Sequence, residues 1–412
     1  MRNNPYVQDA GLERYLNYRP GGFHPVHLGD KFQDKRYTVV NKLGYGSFST
    51  VWLVRDEIQN LYASLKILSA DASEYSTGTE HDVLRRSTTG SGSGKRFVLQ
   101  FLDSFIHKGP NGKHLCVVTE VSGPSLAMWL DAISDFGELP LESARALIPQ
   151  LAQGVEYLHS CDIVHGDLHL GNILYHSSLL ESQENIEKYF GTPQKTLLRI
   201  RHGATPPYSA PHVPRYVVHT PDQSCLLEAI FETPSLVQLK ICDFSEASLH
   251  DPTRPKGVKR KLNCPSVHAA PEVIFDELVS PASDMWAMGN TMHQILTGGR
   301  EGATVIRGAP GCSRDEVVCQ MVRLLGRPPD RWWTRWEARS KYFDEAENWI
   351  GNTEANRTPK PLGIRFRADY LPLDEQQALQ KVLAGIFVYE PQDRLTARDV
   401  VSELACFKLE EK

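Results

Sequence analysis

What this chain has little of narrows the field first. Its 412 residues hold only eight cysteines, scattered without a single Cys-x-x-Cys pair. That argues against a zinc framework or a disulfide scaffold and leaves reduced, buried thiols as the expectation. No stretch reaches the roughly 18 uncharged apolar residues that a membrane-crossing helix needs. The opening Met1-Arg2-Asn3-Asn4-Pro5 has no apolar signal-peptide core. An intracellular protein is expected, in the cytoplasm, the nucleus or both, without a membrane partner. The net charge of -5 and the absence of a long basic arm leave little to grip nucleic acid directly. The remainder, 41% hydrophobic and 23% charged, is ordinary globular composition, enough for one large or two medium domains.

The chemistry-bearing stretch is His165-Gly166-Asp167-Leu168-His169-Leu170-Gly171-Asn172, flanked by Ile163-Val164 and Ile173-Leu174. An Asp can orient a hydroxyl proton, and an Asn five residues on can help to hold a divalent cation. The same two residue types in a turn often do no more than cap backbone groups. The octet therefore needs support from elsewhere in the chain.

Support lies upstream. Tyr37 to Leu43 and Thr50 to Val54 read as strands joined by Gly44-Tyr45-Gly46-Ser47-Phe48-Ser49. Gly44 and Gly46 let backbone N–H groups approach phosphate oxygens without a Cβ in the way. Tyr62-Ala63-Ser64-Leu65-Lys66-Ile67-Leu68 places one lysine inside an apolar run. A charge there is costly unless it is paired. Glu80, on an expected helix shared with Leu84, is the natural partner, with Glu74 as the alternative. Two more strands, Val98 to Phe105 and Leu115 to Val121, complete a small lobe of five strands and one helix. Ser122-Gly123-Pro124 then breaks the pattern.

Downstream, apolar residues at helical spacing from Leu141 to Leu158 lead into the octet. After Tyr175 comes an insert at 176–237, helical and acidic from Leu179 to Tyr189, then Pro-rich and basic, whose part in any core is expected to be small. The chain then gives Asp243-Phe244-Ser245, Ala270-Pro271-Glu272, Asp284-Met285-Trp286-Ala287-Met288-Gly289 and a late Arg394 suited to pair with Glu272. The cluster Trp332-Trp333-Thr334-Arg335-Trp336 reads as packing.

Each motif alone is modest; their order is not. The set resembles the eukaryotic protein kinases over about residues 37–407. Leu43-Gly44-Tyr45-Gly46-Ser47-Phe48-Ser49-Thr50-Val51-Trp52, with the insert between the octet and Asp243, is similar to the SR-protein kinases in particular. The resemblance implies an α+β bilobal fold: an N-terminal extension (1–36), a β-rich N-lobe (37–121) and a mainly helical C-lobe (122–407) interrupted by the insert. It also implies ATP and Mg²⁺ as cofactors and a protein substrate, with Ser in Arg/Ser-rich proteins as one class, and a monomer.

The roles that follow from the resemblance are specific. Leu43, Gly44, Tyr45, Gly46, Ser47 and Ser49 would cover the phosphates, and Lys66, held by Glu80, would contact them. Val51, Ser64 and Leu174 would enclose adenine, with Glu120 and Ser122 reading its edge and Thr119 as gatekeeper. Asn172 and Asp243 would bind Mg²⁺, and Asp167 would orient the substrate hydroxyl. Leu84, His165 and Phe244 would stack above Asp284.

Against the general protein-kinase pattern, Ser49 stands for the third glycine, Ser64 for an alanine, Ser245 for the glycine after Asp-Phe, Gly166 for an arginine and His169 for a lysine; the SR-protein kinases commonly lack that arginine and the glycine after Asp-Phe as well. Imidazole is a weaker cation than ammonium near neutral pH, so slow but real catalysis is expected. Without an arginine at 166, activity should not need phosphorylation between Asp243 and Glu272. His268-Ala269 also departs from the Tyr-Arg that often precedes Ala-Pro-Glu. Asp344, Glu345 and Glu347 are candidate docking residues for a basic substrate. Two other readings stay open: an ATP-binding pseudokinase scaffold, and a small-molecule phosphotransferase, whose families share the octet and Asp-Phe-Ser.

Overall fold

Alternating apolar residues from Tyr37 onward build an antiparallel sheet, and the 3.6-residue periodicity after Leu141 builds a buried helix. The computed structural model describes residues 4–76, 79–133, 139–232, 238–251, 253, 257–297, 305–306, 312–350 and 371–407. Residues 1–3 of the extension, 233–237 of the insert, and Lys256 lie outside the described residues. The chain divides into two units: Met1–Thr88, Leu99–Gly123 and His176–Leu236 form the first, and Thr89–Val98, Pro124–Tyr175 and Val237–Lys412 the second.

The first unit begins with β1 (Tyr6–Val7), β2 (Lys31–Phe32), β3 (Tyr37–Tyr45), β4 (Ser49–Asp56) and β5 (Leu61–Leu68). Helices α1 (Ala70–Ser76) and α2 (Thr79–Thr89) follow, then β6 (Phe101–Gly109) and β7 (Gly112–Thr119). The sheet order is β2-β3-β4-β5-β7-β6. The sheet has six strands where five were expected, because Lys31–Phe32 pairs with Tyr37–Thr38. Its sixth strand begins at Phe101, not Val98: the Gln100 amide donates to the Glu120 carboxylate (2.8 Å) rather than to a strand carbonyl. Val39, Trp52, Val54, Ala63, Leu65, Ile67 and Val118 fill one face. Burial of such side chains contributes about 1.5–3 kcal/mol each. The extension packs here as well: Tyr15, Tyr18 and Phe23 are buried with Tyr6 and Val217.

The chain then enters the second unit with α3 (Leu126–Ile133), α4 (Leu141–Ser160), β8 (Ile163–Val164) and β9 (Ile173–His176). Along α4, Leu147, Ile148, Leu151, Val155 and Leu158 are wholly buried.

The insert returns to the first unit as α5 (Gln183–Phe190), β10 (Lys195–Leu197), β11 (Arg199–Ile200), β12 (Tyr216–Val218) and α6 (Ser224–Glu232). The expectation that it adds little to a core is overturned. Ile186, Tyr189 and Phe190, spaced i, i+3, i+4, form the buried stripe of α5. The Asn41 side-chain amide on β3 donates to the Phe190 carbonyl (3.0 Å), and Tyr62 on β5 donates to Glu187 (2.7 Å). Val218 joins the core of the sheet, and β11 pairs with β1 of the extension.

Back in the second unit, β13 (Gln238–Ile241) pairs with β9, and β14 (Ser248–Leu249) with β8. Then come β15 (Val258–Lys259), α7 (Pro271–Asp276), β16 (Leu278–Val279) and α8 (Pro281–Leu296). Helices α9 (Arg314–Leu325), α10 (Asp330–Trp333), α11 (Leu373–Ile386) and α12 (Ala397–Glu403) complete it. Trp333 and Trp336 pack with Val318, Val322 and Phe343, which bears out the packing reading.

Candidate active site

The predicted site residues fall into two groups, one on each unit. In the first unit, the β3–β4 hairpin carries Leu43 to Ser49. Its ladder pairs Lys42 with Trp52 and then Gly44 with Val51, so Leu43 is the extra residue of a bulge. The Gly46 amide closes the hairpin on the Ser49 carbonyl (2.8 Å), and the Phe48 carbonyl accepts from the Ser69 amide (2.8 Å). The Gly46 amide is therefore committed to the turn, and Ser47 and Phe48 stand at the exposed tip. Ser49 is buried and pairs with Leu68 across β4–β5, a regular strand position that needs no glycine.

Alternation along β5 sets the next contacts. Ala63, Leu65 and Ile67 point into the core, while Ser64 and Lys66 are half-buried on the other face. Lys66 lies opposite Val51 on one side and Val117 on the other; Ser64 lies opposite Thr119. The Lys66 Nζ is 3.2 Å from Oε1 of Glu80, whose side chain is buried on α2. Glu80 is thus the lysine's partner. Its other oxygen, Oε2, is buried with no hydrogen-bond partner among the described residues. Glu120 is pinned through its amide to the Gln100 carbonyl (3.1 Å), and Ser122 is buried.

In the second unit, the octet is held from below by one carboxylate. Asp284 on α8 accepts from the His165 amide (2.7 Å), the Gly166 amide (2.8 Å) and the His159 ring (3.0 Å). The His165 ring contacts the Cys242 carbonyl through Nε2 (2.9 Å) and accepts the Asp167 amide at Nδ1 (3.2 Å). It also meets the Phe244 ring at 5.3 Å. Leu84, the third member of the expected stack, is buried on α2 in the first unit. The Cys242 amide donates to the Asn172 carbonyl (2.9 Å), tying the approach to Asp243 to Asn172. Asp243 has φ +60, a left-handed conformation that Asp tolerates better than most residues. Leu174 bridges to Ser125.

Asn172 fixes Asp167. Its side-chain amide donates to both the Asp167 carbonyl (2.9 Å) and Oδ2 (3.0 Å). Oδ1 of Asp167 is buried with no partner among the described residues. A buried carboxylate oxygen without a donor is costly, so this atom suits an incoming hydroxyl. His169 stands beside it: Nε2 is 3.5 Å from Asp167 Oδ2, while Nδ1 accepts the Gly171 amide (3.0 Å) and caps the turn carrying Asn172. That capping bond requires the neutral ring's proton to sit on Nε2. The His268 ring lies 6.0 Å from that of His169; burial, with His169 nearby, lowers its pKa to about 4.

Gly166 has φ +80, and a Cβ there would lie 2.5 Å from the Glu246 carbonyl oxygen. The local backbone thus excludes an arginine. Sequence reasoning missed what holds the neighbouring segment: Arg260 donates to the Ala247 carbonyl (3.1 Å), the Glu246 carbonyl and the Glu246 carboxylate (3.1 Å), and Asn263 takes the other carboxylate oxygen (3.1 Å). The basic run Lys259-Arg260-Lys261 was the available signal. Farther on, Arg394 grips Glu272 in a bidentate pair (2.8 and 3.1 Å) with both side chains buried.

Among the described residues, no group of three or more His, Cys, Asp or Glu is arranged to hold a metal ion. Asn172 and Asp243 are a smaller set, which suits Mg²⁺: it keeps several waters and binds through one or two protein ligands with substrate phosphates. Among the described residues no helix is long and apolar enough to cross a membrane.

Comparison with known proteins gives a consistent result. Residues 37–187 match the protein kinase domain, and residues 223–323 match the protein tyrosine and serine/threonine kinase model. The serine/threonine-protein kinase SRPK of Physarum polycephalum is 29% identical over 95% of this chain and 90% of its own length. Serine/threonine-protein kinase SKY1 of Saccharomyces cerevisiae is 38% identical over 39% of this chain and 23% of its own. The human SRSF protein kinase 3 is 37% identical over 40% and 30% respectively. A crystallised kinase domain superposes with a TM-score of 0.63 at 16% identity, covering 94% of this chain and 99% of that one, which supports the bilobal α+β kinase fold.

Proposed function

Because this chain belongs to the protein-kinase family, as a serine/threonine kinase akin to the SR-protein kinases, we propose that Asp167, Asn172, Asp243, Lys66 and Glu80 carry phosphoryl transfer from ATP to a serine hydroxyl. The observation that carries this reading is the state of Asp167: Oδ2 held by Asn172 at 3.0 Å, Oδ1 buried and unpartnered among the described residues. A carboxylate so placed orients the hydroxyl and takes its proton as the new P–O bond forms.

The family uses ATP with Mg²⁺, which when bound neutralises charge on the phosphates. Asn172 and Asp243 are the residues to hold the metal. Lys66, steadied by Glu80, would place one positive charge against the nucleotide phosphates, and the tip of the β3–β4 hairpin would cover them with backbone amides. Val51 and Ser64 of the first unit, and Leu174 of the second, are the residues that would hold the base, with Glu120 and Ser122 to read its edge. His169 offers Asp167 one Nε2–H donor where the family commonly supplies a lysine ammonium. Catalysis is accordingly slow but real.

The proposed substrate is serine in Arg/Ser-rich protein segments, met inside the cell by a monomeric enzyme that binds no nucleic acid itself. Support comes from relatives whose names are those of SRSF protein kinases. Of the acidic docking candidates, Asp344 already bonds the Asn348 amide (2.8 Å) and Glu347 pairs with Arg327 (3.0 Å). Substrate arginines would have to exchange with these partners. The Arg260–Glu246 contacts support activity without phosphorylation of the segment between Asp243 and Glu272. The test is transfer of radiolabelled γ-phosphate to an Arg/Ser peptide and to its Lys/Ser counterpart, with Asp167→Ala as control. Transfer favouring the Arg/Ser peptide and lost in the control supports the reading; transfer unaffected by Asp167→Ala refutes it.

A further inference from the structure

The extension contributes one buried charge to the foot of the hairpin that the nucleotide needs. Lys42 sits on β3 immediately before the bulge at Leu43, at the last regular pair before Gly44. Its side chain is fully buried, and its Nζ lies 5.4 Å from the centroids of both Tyr45, on the outgoing side of the loop, and Trp52, on the returning strand. The counter-charge is Glu13, which has 1% exposure and whose Oε2 pairs with the Lys42 Nζ. The Tyr18 hydroxyl donates to Oε1 of Glu13 (2.5 Å), so both carboxylate oxygens are engaged. Burial lowers the Lys42 pKa while Glu13 opposes that shift, and burial beside Glu13 pushes the Tyr18 hydroxyl well above its ordinary value.

A salt bridge this deep is weak evidence for stability, because desolvation of both ions offsets their attraction. Such pairs are better attested as devices that fix one geometry. Here the geometry fixed is that of the loop: the ammonium spans its two strands, and the carboxylate ties it to the extension. We infer that Glu13 and Lys42 are positioning residues for the β3–β4 loop, and that the extension is thereby a working part of the nucleotide site. This rests on the kinase reading above.

The experiment measures kcat and KM for ATP and for peptide in the full chain, comparing wild type with Glu13→Gln, Lys42→Met, Lys42→Arg and the Glu13→Gln/Lys42→Met double variant. Loss of the pair is expected to raise the KM for ATP by about tenfold, the equivalent of about 1.4 kcal/mol of binding free energy. The kcat and the peptide KM stay close to wild type. Lys42→Arg, which keeps the charge, restores most of the ATP affinity, and the double variant is no worse than the more impaired single variant. Glu13→Gln keeps the volume and hydrogen-bonding reach of the side chain, so it carries the result if Lys42→Met does not fold. An unchanged KM for ATP in folded Glu13→Gln, or an equal loss in kcat and peptide KM, overturns the inference. Absence of transfer by the wild type overturns the kinase reading instead.

Discussion

Acid should loosen the first unit through its buried histidines, His24 above all. His24 is 8% exposed and is packed against His107 (ring centroids 4.5 Å), His114 (5.1 Å) and Phe32 (5.8 Å). Its Nδ1 is buried without a partner among the described residues, and faces Gly109, where a Cβ would sit 2.3 Å away. Burial, then the neighbouring His107, His114 and His27, lowers its pKa from 6.5 to about 2. Below pH 6.5 the unfolded chain takes a proton that the folded chain refuses, so stability is full above that pH and is lost as pH falls toward 2. At pH 5, about 1.5 units below the ordinary value, His24 alone should cost about 2 kcal/mol, at 1.36 kcal/mol per unit. The assay is urea unfolding by near-UV circular dichroism at pH 7 and pH 5, for wild type and His24→Gln. The variant, though less stable at pH 7, should lose about 2 kcal/mol less than wild type between the two pH values. Equal losses would refute the argument that His24 is held neutral by its surroundings.

Three further outcomes are expected. His169→Lys should raise kcat, because a charge-stabilising donor is worth up to about 3–4 kcal/mol at the barrier. It should also lower the melting temperature slightly, since the lost cap on the Gly171 amide costs about 1 kcal/mol; an unchanged or lower kcat contradicts this account of the departure. Phosphatase treatment should leave activity intact, whereas Arg260→Ala should lower it in steady-state assays by releasing Glu246. Arg394→Met should destabilise the second unit by about 3–5 kcal/mol in denaturant titrations, because it strands the buried Glu272 carboxylate.

The parts of the fold legible beforehand were those set by local pattern. The period-2 runs of β3, β4 and β5, the glycine turn, and the apolar stripe of α4 depend on residues near one another in sequence. So did the Lys66–Glu80 pairing, since a charge inside a strand demands a partner and a helical Glu follows shortly after. The misreadings came from long-range partners. The insert looked too polar and Pro-rich to share a core, yet Asn41 and Tyr62, far upstream, bind its helix. The start of β6 was misplaced because a side chain, Glu120, takes the amide that pattern alone assigns to a strand. Gly166 was noticed as a missing arginine; that the backbone there excludes any side chain needs the Glu246 carbonyl in view. His169 was read only as a missing charge, while its bond to Gly171 makes it a cap as well.

The central claim is that Asp167 receives the substrate hydroxyl. Asp167→Asn keeps the shape of the side chain and an oxygen for Asn172, but cannot take a proton. Single-turnover transfer of γ-phosphate to an Arg/Ser peptide, with nucleotide binding measured in parallel, tests it directly. The account predicts a rate lowered by about a hundredfold to ten-thousandfold with nucleotide affinity close to wild type. A variant that transfers phosphate at the wild-type rate would contradict it.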